Sequence, residues 1–214
     1  LEVILPMGIR KSGVIRKLEW LGGIHSDYMS PIVLNGAGSI YNNFEYHWKK
    51  VLTKLGPFDV LHLLKQLPKT AGLNNKFLEM YPPKNTVASY QAIFKDGWED
   101  YKNTSINKKI LADSKRQRRR LTEIGAIDFK MLSSEEEIKE ITNKMFEFKQ
   151  QRYKEMNVLN VLKNEEHKNF YKKMPTAIGS IGKIHCSALY LDDEIIALHW
   201  GVETQKVFYY LMPA

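Results

Sequence analysis

His185-Cys186-Ser187-Ala188-Leu189-Tyr190-Leu191, then Ile195-Ile196-Ala197-Leu198-His199-Trp200-Gly201-Val202, then Val207-Phe208-Tyr209-Tyr210-Leu211: these three runs decide the fold. Each is dominated by aliphatic and aromatic residues. Short polar turns part them, Asp192-Asp193 after the first and Glu203-Thr204-Gln205 after the second. Runs of this length with such turns predict a three-stranded antiparallel meander. Strict alternation along the second strand puts Ile195, Ala197 and His199 on one face, and Leu198 with Trp200 on the other.

Upstream of the meander the pattern turns helical. Residues 126–132 read as a strand leading into Ser133-Ser134-Glu135-Glu136-Glu137, where Ser133/Glu136 and Ser134/Glu137 both satisfy the capping-box spacing. The helix that follows carries Ile138, Ile141, Met145 and Phe148 on one stripe, and the next turn of that stripe lands on Arg152. A second helix over 165–173 is expected to end at Pro175. Before the strand come a helix from Trp98 and a basic helix that stops at Gly125, with Ile106, Ile110, Leu121 and Ile124 as a weak apolar stripe.

The first part of the chain has the same mixture. Val3-Ile4-Leu5 and residues 14–20 read as strands, and Pro31-Ile32-Val33-Leu34 as a short edge element. Residues 41–55 show helical spacing, with Tyr41, Phe44, Trp48, Val51, Leu52 and Leu55 on one face. Ser39 is the expected cap and Gly56-Pro57 the stop. Residues 59–64 then read as a buried strand, and 87–94 as another. Pro82-Pro83 marks the boundary, dividing the chain into residues 1–84 and 85–214. An α/β or α+β architecture of two units with similar element order is expected.

With 214 residues, 43% of them hydrophobic and 26% charged, the chain can bury a substantial core. No apolar run is long enough to span a bilayer, and no signal peptide opens the sequence, so a cytoplasmic location is expected. A chain that starts with Leu reads as a fragment or a processed product. The lone Cys186 excludes an internal disulfide and fits a buried small residue. The net charge of +8 is concentrated in Lys108, Lys109, Lys115, Arg116, Arg118, Arg119 and Arg120, which points to an anionic partner or to a solvated helix face.

Few residues declare chemistry. Arg152 is either an anion-binding guanidinium at the mouth of a cleft or a side chain that reaches past the helix end to water or an acid. His199 is either a general base or a hydrogen-bonded core histidine. Tyr209 and Tyr210 either donate a proton to a leaving group or pack. Gly36-Ala37-Gly38 and Gly179-Ser180-Ile181-Gly182 are too short for phosphate loops. His25, Asp27 and Cys186 have no metal-ligand spacing, and no metal is expected.

At Trp98-Glu99-Asp100-Tyr101, the basic helix over 105–120, Arg152 and the strand holding Phe208-Tyr209-Tyr210, the chain resembles GNAT-like acyltransferases of the bacterial CelD/BcsL type, with BioF2-like acetyltransferase domains. Leu18-Glu19-Trp20-Leu21-Gly22 with Ser26-Asp27-Tyr28 resembles the segment that precedes that domain. The resemblance implies tandem GNAT-like units, the first degenerate and the second ending at the strand before the coenzyme A pyrophosphate loop. It further implies acyl (acetyl) transfer from acyl-CoA to an amine or hydroxyl by direct attack, the acceptor being a small molecule or a cell-envelope precursor. His199 would be the base and Tyr210 the acid. Arg152, Asp27 and Tyr28 would bind the acceptor, with Asp27 and Tyr28 bordering a cleft between the units. Tyr209, Tyr210 and Leu211 would line the acyl-CoA site, where backbone groups polarise the thioester. The same architecture is similar to FemAB-type aminoacyltransferases, for which the basic helix would contact tRNA. A third reading is a non-catalytic protein that binds RNA or an anionic surface on this scaffold.

Overall fold

The computed structural model describes residues 2–34 and 41–214. The expected cap Ser39 and the Gly36-Ala37-Gly38 segment lie outside the described residues. The chain is a mixed α/β protein and divides into two compact units, Leu1–Gln91 and Ala92–Ala214.

In the first unit, β1 (Val3–Ile4) is followed by a hairpin of β2 (Met7–Ser12) and β3 (Ile15–Trp20). Gly13 turns that hairpin at φ 63°, a left-handed value that suits glycine. β4 (Ile32–Val33) pairs antiparallel with β1. Helix α1 (Phe44–Lys54) then returns the chain so that β5 (Val60–His62) adds parallel to β3. A small hairpin, β6 (Lys69–Thr70) with β7 (Leu73–Asn74), leads into α2 (Lys76–Met80). Phe77, fully buried, centres this core: Trp20, Phe44 and Trp48 all meet its ring edge-on, at centroid distances of 5.5, 5.0 and 4.9 Å. Asn75 holds the start of α2 from inside, its Oδ1 accepting from Phe77 N at 3.0 Å while its Nδ2 donates to Leu67 O at 2.9 Å.

One strand here was not expected, one expected strand does not form, and the strand expected as buried over 59–64 forms only over Val60–His62 and is half-exposed. Strand β2 was hidden because its apolar residues, Met7 and Ile9, alternate with Gly8 and Arg10 on a short, half-exposed edge. The expected strand over 87–94 does not form: residues 82–96 hold neither helix nor strand, and Val87 and Tyr90 are 94% and 92% exposed. An apolar run without a neighbouring strand to take its backbone hydrogen bonds gains nothing from extension.

The second unit opens with α3 (Gly97–Thr104) and α4 (Lys108–Thr122). Next come β8 (Ile127–Leu132), α5 (Glu135–Glu155) and α6 (Glu165–Ala177). It closes with β9 (Lys183–Leu191), β10 (Glu194–Thr204) and β11 (Val207–Pro213). The expected meander is present, and β8 joins it to give an antiparallel sheet in the order β11-β10-β9-β8. Ile141, Met145 and Phe146 of α5 pack with Cys186, Ala188, Leu198, Trp200 and Val202 on one face of this sheet.

Of the two possible capping boxes, Ser134 makes the bond. Its Oγ accepts from Glu137 N at 3.2 Å, and Glu137 Oε2 accepts from Ser134 N and Ser133 N at 3.0 and 3.1 Å. Those bonds, led by the one from Ser134 N, hold the Glu137 carboxyl below its ordinary range. The α5 stripe does not end on Arg152. The buried positions are Ile141, Thr142, Met145 and Phe146, and the core contact in the last turns is Tyr153. A 3.6-residue period drifts off a strict three-and-four spacing, so one residue's rotation turns Arg152 to solvent. Pro175 does not stop α6 but sits inside its last turn, where a missing N–H costs one hydrogen bond and the helix runs on to Ala177. Among the described residues, no helix is long and apolar enough to cross a membrane.

Candidate active site

The face of the second unit's sheet that α5 and α6 leave open carries a compact polar and aromatic cluster. Two irregularities create it. Between Ile195 and Ala197 the β9–β10 register shifts, leaving Ile196 as an extra residue, so Ile195 packs with the helix-side core rather than beside His199. The alternation expected for Ile195 is therefore corrected, while Ala197 and His199 keep a shared face. Past the shift, His185 stands opposite Gly201 and Ser187 opposite His199. On the other side of β10, Gly201 stands opposite Tyr210 and Glu203 opposite Phe208.

The second shift lies in β11. Trp200 pairs with Met212 but Gly201 with Tyr210, so Leu211 has no residue opposite it. A bulge takes one residue's polar backbone out of the ladder. Among the described residues β11 is also an edge of the sheet, with one side of its backbone unpaired. A strand edge with one residue displaced from the ladder leaves backbone groups free to pair with an extended ligand.

Gly201 makes room for the rings. A Cβ at this position would lie 2.6 Å from Tyr209 O, 2.8 Å from His199 Cε1 and 3.0 Å from Phe208 Cε2. Over that bare backbone His199 stacks on Tyr210, at a centroid distance of 4.2 Å and an interplanar angle of 9°. Phe208 lies 4.8 Å from the His185 ring and 5.3 Å from that of His199.

The two histidines differ in every respect that matters to proton transfer. His199 Nε2 is buried and has no hydrogen-bond partner among the described residues. Burial first, and the neighbouring His185 second, push its pKa down to about 4, so the ring is neutral above that pH. His185 has partners at both nitrogens: Nδ1 lies 2.8 Å from Glu203 Oε1 and Nε2 lies 3.3 Å from Ser187 Oγ. An ionised carboxylate only accepts, so Nδ1 carries the proton and donates it, and the Ser187 hydroxyl donates to Nε2. Lys183 Nζ fixes the far oxygen of Glu203 at 2.9 Å. Lys183, and after it His185, hold the Glu203 carboxyl below its ordinary range.

Of the residues expected from sequence, His199 and Tyr210 come together in the stack, and Leu211 is the bulge residue. Tyr209 stands opposite Val202, on the helix-bearing face. Arg152 is exposed in the last turn of α5, where its charge, after burial, helps depress the Lys149 pKa. In the first unit, Asp27 Oδ1 lies 3.6 Å from Lys65 Nζ, and Tyr28 is 44% exposed. Sequence reasoning missed His185, Ser187 and Glu203. Cys186, between them, points into the core, and burial pushes its thiol up to about 12, which makes it an inert packing group. Among the described residues, no group of three or more His, Cys, Asp or Glu is arranged to hold a metal.

Residues 108–214, half of the chain, match the family described as the acetyltransferase (GNAT) domain. Comparison with curated proteins gives no match, and neither does comparison with solved structures. The matched segment runs from α4 through β11 and so contains the whole sheet, both packing helices and the polar cluster: the chain belongs to the GNAT acetyltransferase family.

Proposed function

We propose that the protein transfers an acyl group, acetyl in the simplest case, from acyl-CoA to an amine or hydroxyl by direct attack. The observation that carries this reading is the bulge at Leu211 on an edge strand, beside the stacked pair His199 and Tyr210. Acyl-CoA supplies the activated acyl group as a thioester. Backbone groups at Tyr210 and Leu211 would polarise its carbonyl, and strand β11, with Tyr209, would flank its chain. The Tyr210 phenol, 65% exposed, serves as the proton donor to the departing thiolate, and His199 fixes its ring from behind. Arg152, exposed at the end of α5, is the proposed anchor for an acceptor bearing an anionic group, as a cell-envelope precursor would. The two units are read as a tandem of GNAT-like units, the first degenerate.

Calorimetric titration of the whole chain with coenzyme A, together with thiol release from acetyl-CoA followed by a chromogenic disulfide, tests the proposal. Saturable binding and thiol release that falls in Tyr210→Phe support it. The absence of both would sink it.

One observation favours a second reading. Helix α4 exposes Lys108, Lys109, Lys115, Arg118 and Arg120, while Arg116 and Arg119 pair with Asp113 and Glu123. An exposed row of cations suits a tRNA-borne aminoacyl donor, or RNA binding without catalysis. Both predict affinity for tRNA that weakens steeply with salt and is lost in a variant carrying Lys115→Glu and Arg118→Glu.

A further inference from the structure

We propose that His185 is the general base of the transfer reaction, held in its proton-accepting tautomer by Glu203 as a positioning residue; this rests on the acyl-transfer reading above. An amine or hydroxyl acceptor must lose a proton as its lone pair forms the new bond to the acyl carbon. A base for that step needs a basic lone pair in a group that substrate can reach and that is held in one tautomer. His185 meets these needs. Its Nδ1–H is tied to Glu203 Oε1 at 2.8 Å, so the lone pair resides on Nε2. Glu203 is itself anchored by Lys183, which keeps the carboxylate ionised and stationary.

The bond at Nε2 is the loose one. Ser187 Oγ stands 3.3 Å away, at the long end of hydrogen-bond range, and a hydroxyl rotor moves at little cost. An arriving N–H or O–H takes its place, and the displaced Ser187 hydroxyl, only 5% exposed, then turns to an acceptor on the ligand. The His185 side chain keeps 14% of its surface exposed, so it borders solvent, whereas His199 Nε2 is sealed. The groups that face His185 are Glu203, His199 and Gly201 from β10, Phe208 from β11, and Lys183 and Ser187 from its own strand. Of the charged ones, only Glu203 bonds to the ring.

The acceptor lone pair forms the bond to the acyl carbon, and the acceptor proton passes to His185 Nε2. The carbon–sulfur bond breaks, its electron pair leaves on the thiolate, and the thiolate takes the proton of the Tyr210 phenol. The phenolate regains a proton through solvent from His185.

Histidine-selective long-range ¹H–¹⁵N spectra of the whole protein, together with acetyl-CoA consumption using water as acceptor, test the assignment. At neutral pH the wild-type spectrum should show His185 protonated at Nδ1, a preference lost in Glu203→Leu, which leaves no acceptor at that nitrogen. His185→Asn keeps a donor toward Glu203 but has no basic nitrogen. It should lower kcat by about 100-fold and erase the acidic limb of the rate profile, with the KM for acetyl-CoA little changed. Should His185→Asn fold poorly by thermal melt, His185→Gln replaces it with the same expectation. Turnover within threefold of wild type and an intact limb would overturn the proposal, as would loss of the limb in His199→Gln instead. If the wild type neither binds coenzyme A nor consumes acetyl-CoA, the acyl-transfer reading fails by itself. The spectra then decide alone, and a proton found on Nε2 of His185 removes it as a base.

Discussion

Gly201→Ala puts the architecture of the site under direct strain. The added methyl carbon would meet Tyr209 O at 2.6 Å, His199 Cε1 at 2.8 Å and Phe208 Cε2 at 3.0 Å. The two rings can yield by rotating, because the Phe208 side of the cluster borders solvent. The carbonyl oxygen cannot, since it belongs to the strand paired with Gly201. Overpacking of a filled site costs about 1–3 kcal/mol, and a clash with backbone belongs in the upper half of that range. The gain from stiffening the unfolded chain, about 0.4–1 kcal/mol for Gly to Ala, offsets part of it. A net loss of about 1–2.5 kcal/mol should lower Tm by roughly 2–10 °C in a chain of this size.

Urea titration followed by circular dichroism reads this as a lower midpoint with an unchanged slope. Gly56→Ala is the control, because the nearest atom to its Cβ is Ile9 Cδ1 at 4.0 Å and no left-handed φ is involved. That variant should be neutral or slightly stabilised. If Gly201→Ala were as stable as Gly56→Ala, strands β10 and β11 could not approach each other as described, and the stack of His199 on Tyr210 would lose its geometric basis.

His199 gives a pH signature. Its pKa is about 4 when folded and 6.5 when unfolded, so the unfolded chain binds the extra proton. The stability from its neutral ring is fully present above pH 6.5 and is lost as pH falls toward 4. The full shift corresponds to about 3 kcal/mol, and screening at the solvent-facing cluster reduces it to roughly 1–2 kcal/mol. His199→Gln should flatten the stability profile between pH 6.5 and 4.5, above the range where the paired carboxylates of Glu137 and Glu203 protonate; an unchanged slope would refute the assignment. Ser134→Ala removes the capping-box acceptor of α5 and should cost about 1 kcal/mol in a urea titration, whereas Ser133→Ala, whose contribution is a backbone N–H, should cost under half of that. The Cys186 thiol should resist a chromogenic disulfide at pH 8 in the native state and react at once in guanidinium; rapid native reaction would contradict its burial.

The elements that sequence foretold are those written in local patterns. The turn residues Asp192 and Asp193 announce the β9–β10 hairpin. Asp192 takes the left-handed conformation there, at φ 54°, and its Oδ1 accepts from Ala126 N at 2.9 Å. That carboxylate also explains Gly125, whose added Cβ would collide with Asp192 Oδ2. Ser134 and Glu137 announced α5 in the same local way. His199 and Tyr210 were legible as candidates because a histidine and a tyrosine in apolar strands are conspicuous. Their stacking was not, since it depends on which residue faces which across β10 and β11.

The His185–Glu203 pair was invisible for a related reason. A regular hairpin through Asp192-Asp193 would pair His185 with Trp200, on the face that meets the helices. The extra residue Ile196 shifts the register by one and brings His185 opposite Gly201 instead, one step diagonally from Glu203. Nothing in Ile195-Ile196-Ala197 marks a bulge, because all three residues suit a strand. The stability of the shifted register comes from elsewhere: it sets Leu198, Trp200 and Val202 opposite Ala188, Cys186 and Ile184, so that both strands turn their apolar residues to one core. The same shift that completes the hydrophobic face therefore sets His185 and Glu203 side by side on the open face. A deletion of Ile196 makes that coupling testable, since it should return His185 toward Trp200 and remove the Nδ1–H tautomer together with the native core. If the tautomer survived in a folded deletion variant, the pairing would have a source other than the bulge.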